Sequence, residues 1–361
     1  MEKRKILLFA LIAILVVALG IGVAAYVSRG DSEMVIPETN TEKEEVKEEK
    51  EEKKEESKIK IFDLNSDDRP IAYMIDNNKN AQPQSNINKA FVVYEIIVEG
   101  NETRLMAIFK DQDEGTVGPI RSARHYFLDY AAEYDAIYAH LGLSPQAGEA
   151  MQQQGTDNIN GQLYDDGKAR HSQSMYWRDK SRKAPHNAYT SIETIRYVAS
   201  TLGYEDTTKK GTPFNYSAEE VVLDADNAVD ANKVVIPYAS SHKVSYTYDE
   251  ETGRYTRYSK GRLMKDEVTG EKVTTKNIIV TFAENYTLND GENKGRQDVV
   301  TVGSLDGYYI TNGKAIKIKC NKESRSAQTQ YVDLEGNEIK VNDGNTWVNV
   351  CPIDANVTIA E

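Results

Sequence analysis

The sequence predicts an α+β protein, in which a mixed α/β N-terminal domain precedes an all-β C-terminal domain shaped as a sandwich or rolled sheet. From 61 to 205, short apolar strands alternate with helix-like segments that start and stop at capping residues. From 206 to 361, after a polar joint, segments rich in Val, Ile, Thr and Tyr recur with turn signals about every 8–12 residues. These two patterns place the domain boundary near 205.

The N-terminus predicts a membrane anchor. A basic flank at 1–5 precedes an unbroken apolar run at 6–27, and about 20 apolar residues are enough to cross a bilayer as a helix. Signal-peptide cores are shorter, at about 7–15 residues, although Val23 and Ala25 could still precede a cleavage site. Because basic residues favour the cytoplasmic side, we expect a single-pass protein of the cell membrane with its N-terminus inside and its folded domains outside.

Residues 28–60 form a charged linker, because the run of Glu and Lys has almost no apolar residue to bury. The whole chain has a net charge of −13, and so acidic a surface argues against nucleic acid as a partner. The sequence has neither a CxxC pair nor an HExxH motif. We therefore expect no metal and no cofactor.

The N-terminal domain opens with three predicted strands, at 71–75, 91–98 and 103–109, of which the last two read as a hairpin. Alternation places Val93, Glu95, Ile97 and Glu99 on one face of the second strand. A glutamate within so apolar a strand is unusual, since charged side chains are seldom fully buried without a partner.

The stretch 118–142 predicts a turn, an amphipathic helix and a buried strand that ends in His140. Ser122 is the expected N-cap of this helix, which would run through Glu133. Ser144 is the expected cap of the following helix, with proline at its first position and Gly155 beyond its end. In α/β sheets, ligands tend to bind where strands end and helices begin.

Residues 156–189 have little regular pattern but an unusual density of aromatic and basic side chains. Long loops within a compact domain are usually functional or disordered, and the aromatic content argues against disorder. A capping box at 190–193 then predicts a helix to about Leu202. The notable side chains of the loop are Tyr164, Arg170, His171, Tyr176, Trp177, Arg178, Lys183, His186 and Tyr189.

In the C-terminal domain, Asp306-Gly307 and Asn312-Gly313 are typical of hairpin turns. Tyrosines at 246, 248, 255 and 258 alternate with Arg257 across a predicted hairpin. These side chains could pack across the strands, or Tyr246, Tyr248 and Tyr258 could form an exposed aromatic stripe.

Several long runs resemble the YerB family of bacterial surface lipoproteins. They include RPIAYMIDN, AQPQSNINKAFVVYEIIVEGNETR, GPIRSARHYFLDYAAEYDAIYAH and WRDKSRKAPHNAYTS in the first domain, and YTYDEETGRYTRY, DEVTGEKV and NIIV in the second. The resemblance covers nearly all of 69–353. It implies a domain of unknown function with a mixed N-terminal and a β-rich C-terminal part, held outside the membrane, often by a lipid. This chain departs from that pattern because no cysteine follows its apolar run.

The candidate ligand-binding residues come from two segments that we expect to form opposite walls of a groove. Two arginines beside a helix start could hold an anion or carboxylate, or they could pair internally with Glu95, Glu99 or Asp129. Aromatic faces with polar donors suit a sugar or peptide. The candidates are Arg121, Arg124, His140, Ser144, Trp177, Arg178, Lys183, His186 and Asn187.

Catalysis is weakly indicated. Glu95 and Glu99 could lie at a separation suited to a glycosidase, with His140 as a further acid/base candidate, but solvated or paired roles are more ordinary. No GxSxG elbow is present. Cys320 and Cys351 could form a disulfide outside the cytoplasm, or they could be two small buried residues.

The sequence therefore favours a non-enzymatic binding or scaffold protein of the bacterial cell envelope, which recognises a cell-wall glycan, a peptide or an envelope-assembly partner. One alternative is an enzyme that degrades envelope polymers through Glu95 and His140. Another is a purely structural interaction protein.

Overall fold

The computed structural model describes residues 59–113, 115–164, 175–223 and 226–361. The predicted anchor and nearly all of the predicted linker lie outside these residues. None of the helices in the described part is long and apolar enough to span a membrane. The part of the chain from Glu56 to Glu361 forms one compact unit, and it is mostly β with few helices.

Among its described residues, the first half of this unit holds eight strands and four α-helices. The strands are β1 (Ile71–Asp76), β2 (Val92–Ile97), β3 (Thr103–Phe109), β4 (Thr116–Val117), β5 (Ile137–His140), β6 (Asn158–Asn160), β7 (Trp177–Arg178) and β8 (Ala188–Ser191). The helices are α1 (His125–Ala131), α2 (Pro145–Gln154), α3 (Gly161–Tyr164) and α4 (Ile192–Leu202).

The described residues of the second half form strands without an α-helix. They are β9 (Tyr216–Ser217), β10 (Val229–Asp230), β11 (Lys233–Ala239), β12 (His242–Asp249), β13 (Arg254–Ser259), β14 (Arg262–Leu263), β15 (Thr274–Thr275), β16 (Asn277–Ala283), β17 (Asn285–Thr287), β18 (Gln297–Val299), β19 (Gly303–Thr311), β20 (Lys314–Lys322), β21 (Gln330–Val332), β22 (Val341–Asn342), β23 (Thr346–Pro352) and β24 (Thr358–Ala360).

One 11-stranded sheet runs through both halves, in the order β10-β20-β19-β16-β23-β2-β3-β1-β5-β6, with β21 beside β20. Its two parts join where β2 pairs in parallel with β23, from Val92 opposite Thr346 to Ile96 opposite Val350. The N-terminal and C-terminal segments that composition separates therefore share one sheet.

A second sheet of six strands, in the order β14-β13-β12-β11-β24 with β15 beside β13, packs on one face of the large sheet. Tyr238 on β11 donates a hydrogen bond to the Glu95 carbonyl at 3.0 Å, and Tyr246 on β12 donates to Asn349 at 3.1 Å. Tyr246 is fully buried. The tyrosine hairpin thus packs inward, and the alternative of an exposed stripe is wrong for Tyr246.

The other face of the large sheet is covered by α1 and the segments around it. Tyr130 on α1 stacks on Tyr94 of β2, with ring centroids 4.7 Å apart. At the end of this segment, the buried Glu133 accepts a hydrogen bond from the buried Lys322 of β20 at 2.7 Å. These contacts tie the helical segment to strands from both halves of the chain.

Local capping departs from the sequence prediction at α1 and agrees with it at α2. The helix α1 begins at His125 rather than after Ser122, and Arg124 is its N-cap without a side-chain cap bond. The chain before it stays extended because Ile120 and Ala123 pair with neighbouring segments. At α2, Ser144 accepts from the Ala147 amide at 3.2 Å.

The two predicted turns of the C-terminal half have different outcomes. Asn312-Gly313 forms the turn between β19 and β20, with positive φ at both residues. Gly307 instead lies within β19, where an added Cβ would collide with the Val280 carbonyl. This glycine permits close approach of the backbone of β16 and is not part of a turn.

Candidate functional site

The C-terminal end of β1 gathers polar side chains from three segments. The Asp76 carboxylate lies 3.2 Å from Nε of Arg121 and 2.7 Å from Nδ1 of His186. The Asp76 side chain is 5% exposed, but His186 is 17% and Arg121 28% exposed. The structure therefore brings Arg121 and His186, from the two predicted walls, onto one carboxylate. We call Asp76, Arg121 and His186 the Asp76 cluster.

An aromatic pair lies on the hairpin that carries His186. Trp177 on β7 is directly opposite Tyr189 on β8, and their rings stack with centroids 6.2 Å apart and planes inclined by 19°. Trp177 is 44% exposed, whereas Tyr189 is buried. The indole therefore presents a flat apolar surface to solvent, held by a buried ring beneath it.

Polar groups of the same hairpin surround the aromatic pair. Arg178 donates to the Asn187 side chain at 3.0 Å, and its guanidinium lies over the Tyr176 ring. Asn187 in turn donates to the carbonyls of Asp179 and Arg182. Lys183 is exposed, and its carbonyl accepts the His186 amide at 3.0 Å. Asn187 thus fixes the loop, while Arg178 and Lys183 lie at its surface.

Arg182, which the sequence reasoning passed over, ties this loop to the C-terminal half. It donates to the Ala81 and Pro83 carbonyls and pairs with Glu267 at 2.7 Å. Its guanidinium also lies 5.8 Å from the Tyr189 ring centroid. The loop is therefore clamped between both halves of the molecule.

Arg124 lies outside this site. It forms an ion pair with Glu99, which also pairs with Arg104 at 2.8 Å, and both arginines are buried. Burial would raise the pKa of Glu99, but the two guanidinium charges lower it to about 2. Of the alternatives that the sequence left open for Arg124, the structure has the internal pair with Glu99.

His140 and Ser144 are interior residues. His140 is fully buried, with Nδ1 2.8 Å from the Gly142 carbonyl and Nε2 3.3 Å from the Asn158 side chain. Burial lowers the pKa of His140, so the neutral ring is favoured. Ser144 is also buried and caps α2. Neither side chain is placed to reach a ligand, which corrects the expectation for both.

Glu95 belongs to a second group of charges, which lies between the two sheets. It pairs with Arg257 of β13, accepts from Asn77 at 3.0 Å and from Thr103 at 2.7 Å, and lies 3.5 Å from His242. All five side chains are buried. We call this group the buried network.

The buried network does not support catalysis by Glu95. Burial would raise the pKa of this carboxyl, but the charge of Arg257 and hydrogen bonds from His242 and Thr103 lower it to about 2. Arg257 in turn lies 4.2 Å from the centroid of the Trp347 ring. A carboxylate so paired and enclosed is a structural ion pair, which corrects its place among the catalytic candidates.

Cys320 and Cys351 are free and buried, so of the two alternatives that the sequence left open, the structure has two small buried residues and no disulfide between them. Two strands, β19 and β16, separate β20 from β23, which places the two backbones roughly 14 Å apart. Cys320 contacts the Thr281 side chain at 3.4 Å, whereas Cys351 is opposite Phe282. Because successive residues of a strand point to opposite faces, the two thiols lie on different faces of the sheet.

The candidate site includes three residues whose roles the sequence did not indicate: Asp76, Arg182, and Tyr189 as the ring that stacks on Trp177. Asp76 had a detectable signal, since it ends an apolar strand at the edge where ligands tend to bind. Of the loop residues that the sequence singled out, Arg170, His171 and the side chain of Tyr164 lie outside the described residues.

Comparison with known proteins gives one consistent result. Residues 60–205 match the N-terminal domain, and 234–348 the C-terminal domain, of a family described as protein of unknown function DUF3048. The chain is 31% identical over 295 residues to a protein of Bacillus subtilis (strain 168) named "Putative lipoprotein YerB", covering 79% of this chain and 81% of the relative. The crystal structure of YerB protein from Bacillus subtilis superposes with a TM-score of 0.69 at 30% identity, covering 81% of this chain and 94% of that one.

Proposed function

The chain belongs to the DUF3048 family and is similar to YerB, and we propose that it is an anchored extracytoplasmic protein that binds a cell-wall glycan without transforming it. Placement outside the cytoplasm draws support from the apolar run at 6–27 and from the relative's name as a lipoprotein. The single-pass anchor with its N-terminus inside is part of this proposal.

The observation that best supports glycan binding is the exposed indole of Trp177, which stacks on the buried ring of Tyr189. Sugar rings have apolar C–H faces that pack on flat aromatic surfaces, while their hydroxyls need hydrogen-bonding partners at the rim. Arg178 on the same hairpin is exposed and offers such a partner. So does the Asp76 cluster at the base of the loop that this hairpin closes. Asn187, in contrast, is buried and its side chain is already hydrogen-bonded within the loop, which corrects its place among the ligand-binding candidates.

Binding to purified cell wall tests the proposal. The full-length chain in detergent is incubated with the wall, and the retained fraction is measured for the native protein and for Trp177→Ala. We expect retention to weaken by about tenfold, since buried aromatic anchors commonly contribute more than 1 kcal/mol. Tyr286→Ala is the matched control, because this tyrosine is also exposed, at 49%, but lies on β17.

Competition with soluble fragments separates a glycan from a peptide as ligand. Glycan strands freed of peptide should displace the protein from the wall, and stem peptides freed of sugar should not. Equal retention of the native protein and Trp177→Ala would contradict the proposal, as would displacement by peptides alone.

A second candidate function, hydrolysis of envelope polymers, has one favouring observation. The 2.7 Å contact between Asp76 and Nδ1 of His186 is the arrangement by which a carboxylate orients a histidine base. Turnover of cell-wall fragments that disappears in His186→Ala would establish this function. The third candidate, a purely structural protein, requires wall retention to be unchanged in Arg121→Ala and His186→Ala.

A further inference from the structure

A cleft of about 250 Å³ lies between the loop after β1 and the hairpin that contains β14. One wall comes from Lys79, Gln82 and Gln84, and the other from Arg262, Met264 and Lys265. Pro83 of the first wall is held by Arg182, whose guanidinium donates to its carbonyl at 2.9 Å. The cleft therefore lies at the seam between the two halves, and neither Trp177 nor Tyr189 lines it.

The charge of this cleft is opposite to that of the chain as a whole. Lys79, Arg262 and Lys265 are exposed, and its lining has no acidic residue. None of the three cations forms an ion pair with another described residue. In a chain with a net charge of −13, three unpaired cations around one cleft produce a local positive potential that attracts anions.

The two acidic residues that follow Lys265 in the sequence have hydrogen-bond partners outside the cleft. Asp266 is buried and accepts the amides of Asn86 at 3.3 Å and Asn88 at 3.1 Å. Glu267 pairs with Arg182 and accepts from the Ser85 hydroxyl at 2.5 Å. Neither carboxylate is directed to neutralise the cleft.

A fourth cation is held next to the cleft at an energetic cost. Lys265 and Lys272 are antiparallel bridge partners, so their side chains leave the same face of the hairpin. Like charges directly opposite one another destabilise a strand pair. Lys272 is also exposed and without an ion pair among the described residues. An anion bound between the two ammonium groups would remove this repulsion.

Gln84, which lines the cleft, has an unused hydrogen-bond acceptor. Gln84 is fully buried, and its Nε2 donates to the Asp76 carbonyl at 3.1 Å and to the Asn77 side chain at 3.3 Å. Its Oε1 has no hydrogen-bond partner among the described residues. A buried acceptor without a donor is costly, and a turn of the Gln84 side chain towards the cleft would let a ligand hydroxyl supply that donor.

From these observations we propose that the cleft binds the phosphate group of a hydroxyl-bearing molecule, a polyol or sugar phosphate. Phosphate presents more than one negative charge and three acceptor oxygens, which suits several converging cations better than a carboxylate does. The ligand hydroxyl would donate to Oε1 of Gln84. The same chemistry is available from a soluble or polymeric polyol phosphate and from a glycerophospholipid headgroup.

Calorimetric titration of the full-length chain in neutral detergent tests the proposal, with inorganic phosphate and sn-glycerol 3-phosphate as probes. We expect both to bind, and glycerol phosphate to bind more tightly because it also carries hydroxyls. The cleft variant combines Lys79→Gln, Arg262→Gln and Lys265→Gln. The matched control combines Lys60→Gln, Lys233→Gln and Lys317→Gln, which removes the same charge from exposed lysines outside the cleft.

The cleft variant should bind glycerol phosphate about tenfold more weakly or worse, and the control should bind like the native chain. An equal loss of affinity in the cleft variant and the control would show that only the net charge of the chain matters, and this would overturn the proposal. Failure of the native chain to bind either probe would also overturn it. Equal affinity for the two probes would show that the hydroxyls of glycerol phosphate add nothing to binding, which would contradict the proposed hydrogen bond to Gln84. Flotation with phosphatidylcholine vesicles, with and without phosphatidylglycerol, shows whether a membrane headgroup is the source. The wall-retention phenotype of Trp177→Ala is independent of all these outcomes.

Discussion

Two consecutive residues at the end of β1 enter surroundings of opposite kind. The Asp76 side chain meets Arg121 and His186 at a site that solvent reaches. The Asn77 side chain donates to Glu95 inside the buried network, where Glu95, Arg257 and His242 are all fully buried. Both groups consist of carboxylates with basic partners. Their composition is alike, and their access to water is not.

Because of this difference in access to water, we expect the two groups to have different roles. Charges removed from water carry a large desolvation cost, so each buried partner depends strongly on the other. In the Asp76 cluster the carboxylate is buried, but both of its basic partners are partly exposed. Solvent therefore screens these pairs more than those of the buried network, so they contribute less to folding, and their side chains can change partners when a ligand arrives. We therefore expect the buried network to control stability and the Asp76 cluster to control binding.

The largest expected effect comes from removing one buried partner. Arg257→Met leaves the Glu95 carboxylate uncompensated between the sheets and should lower the free energy of unfolding by about 3–5 kcal/mol. Arg121→Ala, at the open cluster, should lower it by about 1 kcal/mol or less. Urea unfolding at neutral pH measures both.

The double variant Glu95→Gln/Arg257→Met is the control, because it removes both charges together. It should be more stable than Arg257→Met alone. Similar losses for Arg257→Met and Arg121→Ala would remove the proposed distinction between the two groups.

Acid should affect the buried network over a defined range of pH. The pKa of Glu95 is about 2 in the folded protein, against an ordinary value of 4.5. A carboxyl with a lowered folded pKa stabilises the fold above its unfolded pKa, and this contribution is lost as the pH falls through the folded value. Stability should therefore decline between about pH 4.5 and 2.

Unfolding curves at several pH values between 5 and 2 measure this decline. Its slope should be smaller in Glu95→Gln. It should also be smaller in Glu99→Gln, since Arg104 and Arg124 hold the pKa of Glu99 at about 2 as well. A slope unchanged by either substitution would show that other groups cause the acid sensitivity.

Two histidines sharpen the comparison because the sequence places both in the same predicted groove. His140→Ala should cost about 2 kcal/mol, since it removes a buried ring together with its hydrogen bonds to the Gly142 carbonyl and the Asn158 side chain. His186→Ala should change stability by less than about 1 kcal/mol but weaken retention on cell wall. Thermal unfolding and the wall-binding assay together should show opposite patterns, and matching patterns would contradict the assignment.

The smallest expected effect concerns the cysteines. Because Cys320 and Cys351 lie on opposite faces of the large sheet, reducing agent should leave the melting temperature unchanged. Burial raises the pKa of both thiols to about 12, so a thiol reagent at pH 8 should label them only after unfolding. Mass spectrometry before and after denaturation counts the labels, and a mass lower by two hydrogens in the native protein would indicate a disulfide.

Local structure was largely predictable from the sequence. The strand at 103–109, the Ser144 cap and the Asn312-Gly313 turn follow from patterns within a few residues. The failures involve distant partners. Ser122 does not cap a helix because the chain around it pairs with other segments. Gly307 is required by the close approach of the β16 backbone and not by a turn.

The candidate site was predictable in part, for the same reason. The density of aromatic and basic residues at 177–187 pointed to the hairpin that carries Trp177 and His186. It could not indicate that Asp76 joins Arg121 to His186, or that Arg257, far along the chain, neutralises Glu95. Such pairings depend on the sheet order, which no local pattern specifies.

The parallel pairing of β2 with β23 has a consequence for how the chain is made. β2 is synthesised early, but its neighbour in the centre of the large sheet consists of Thr346–Pro352, close to the C-terminus. During synthesis β2 therefore lacks one of its two hydrogen-bonded neighbours until Thr346–Pro352 has left the ribosome. A nascent chain stalled before residue 346 exposes an unpaired, apolar strand edge, which is the kind of surface that chaperones protect.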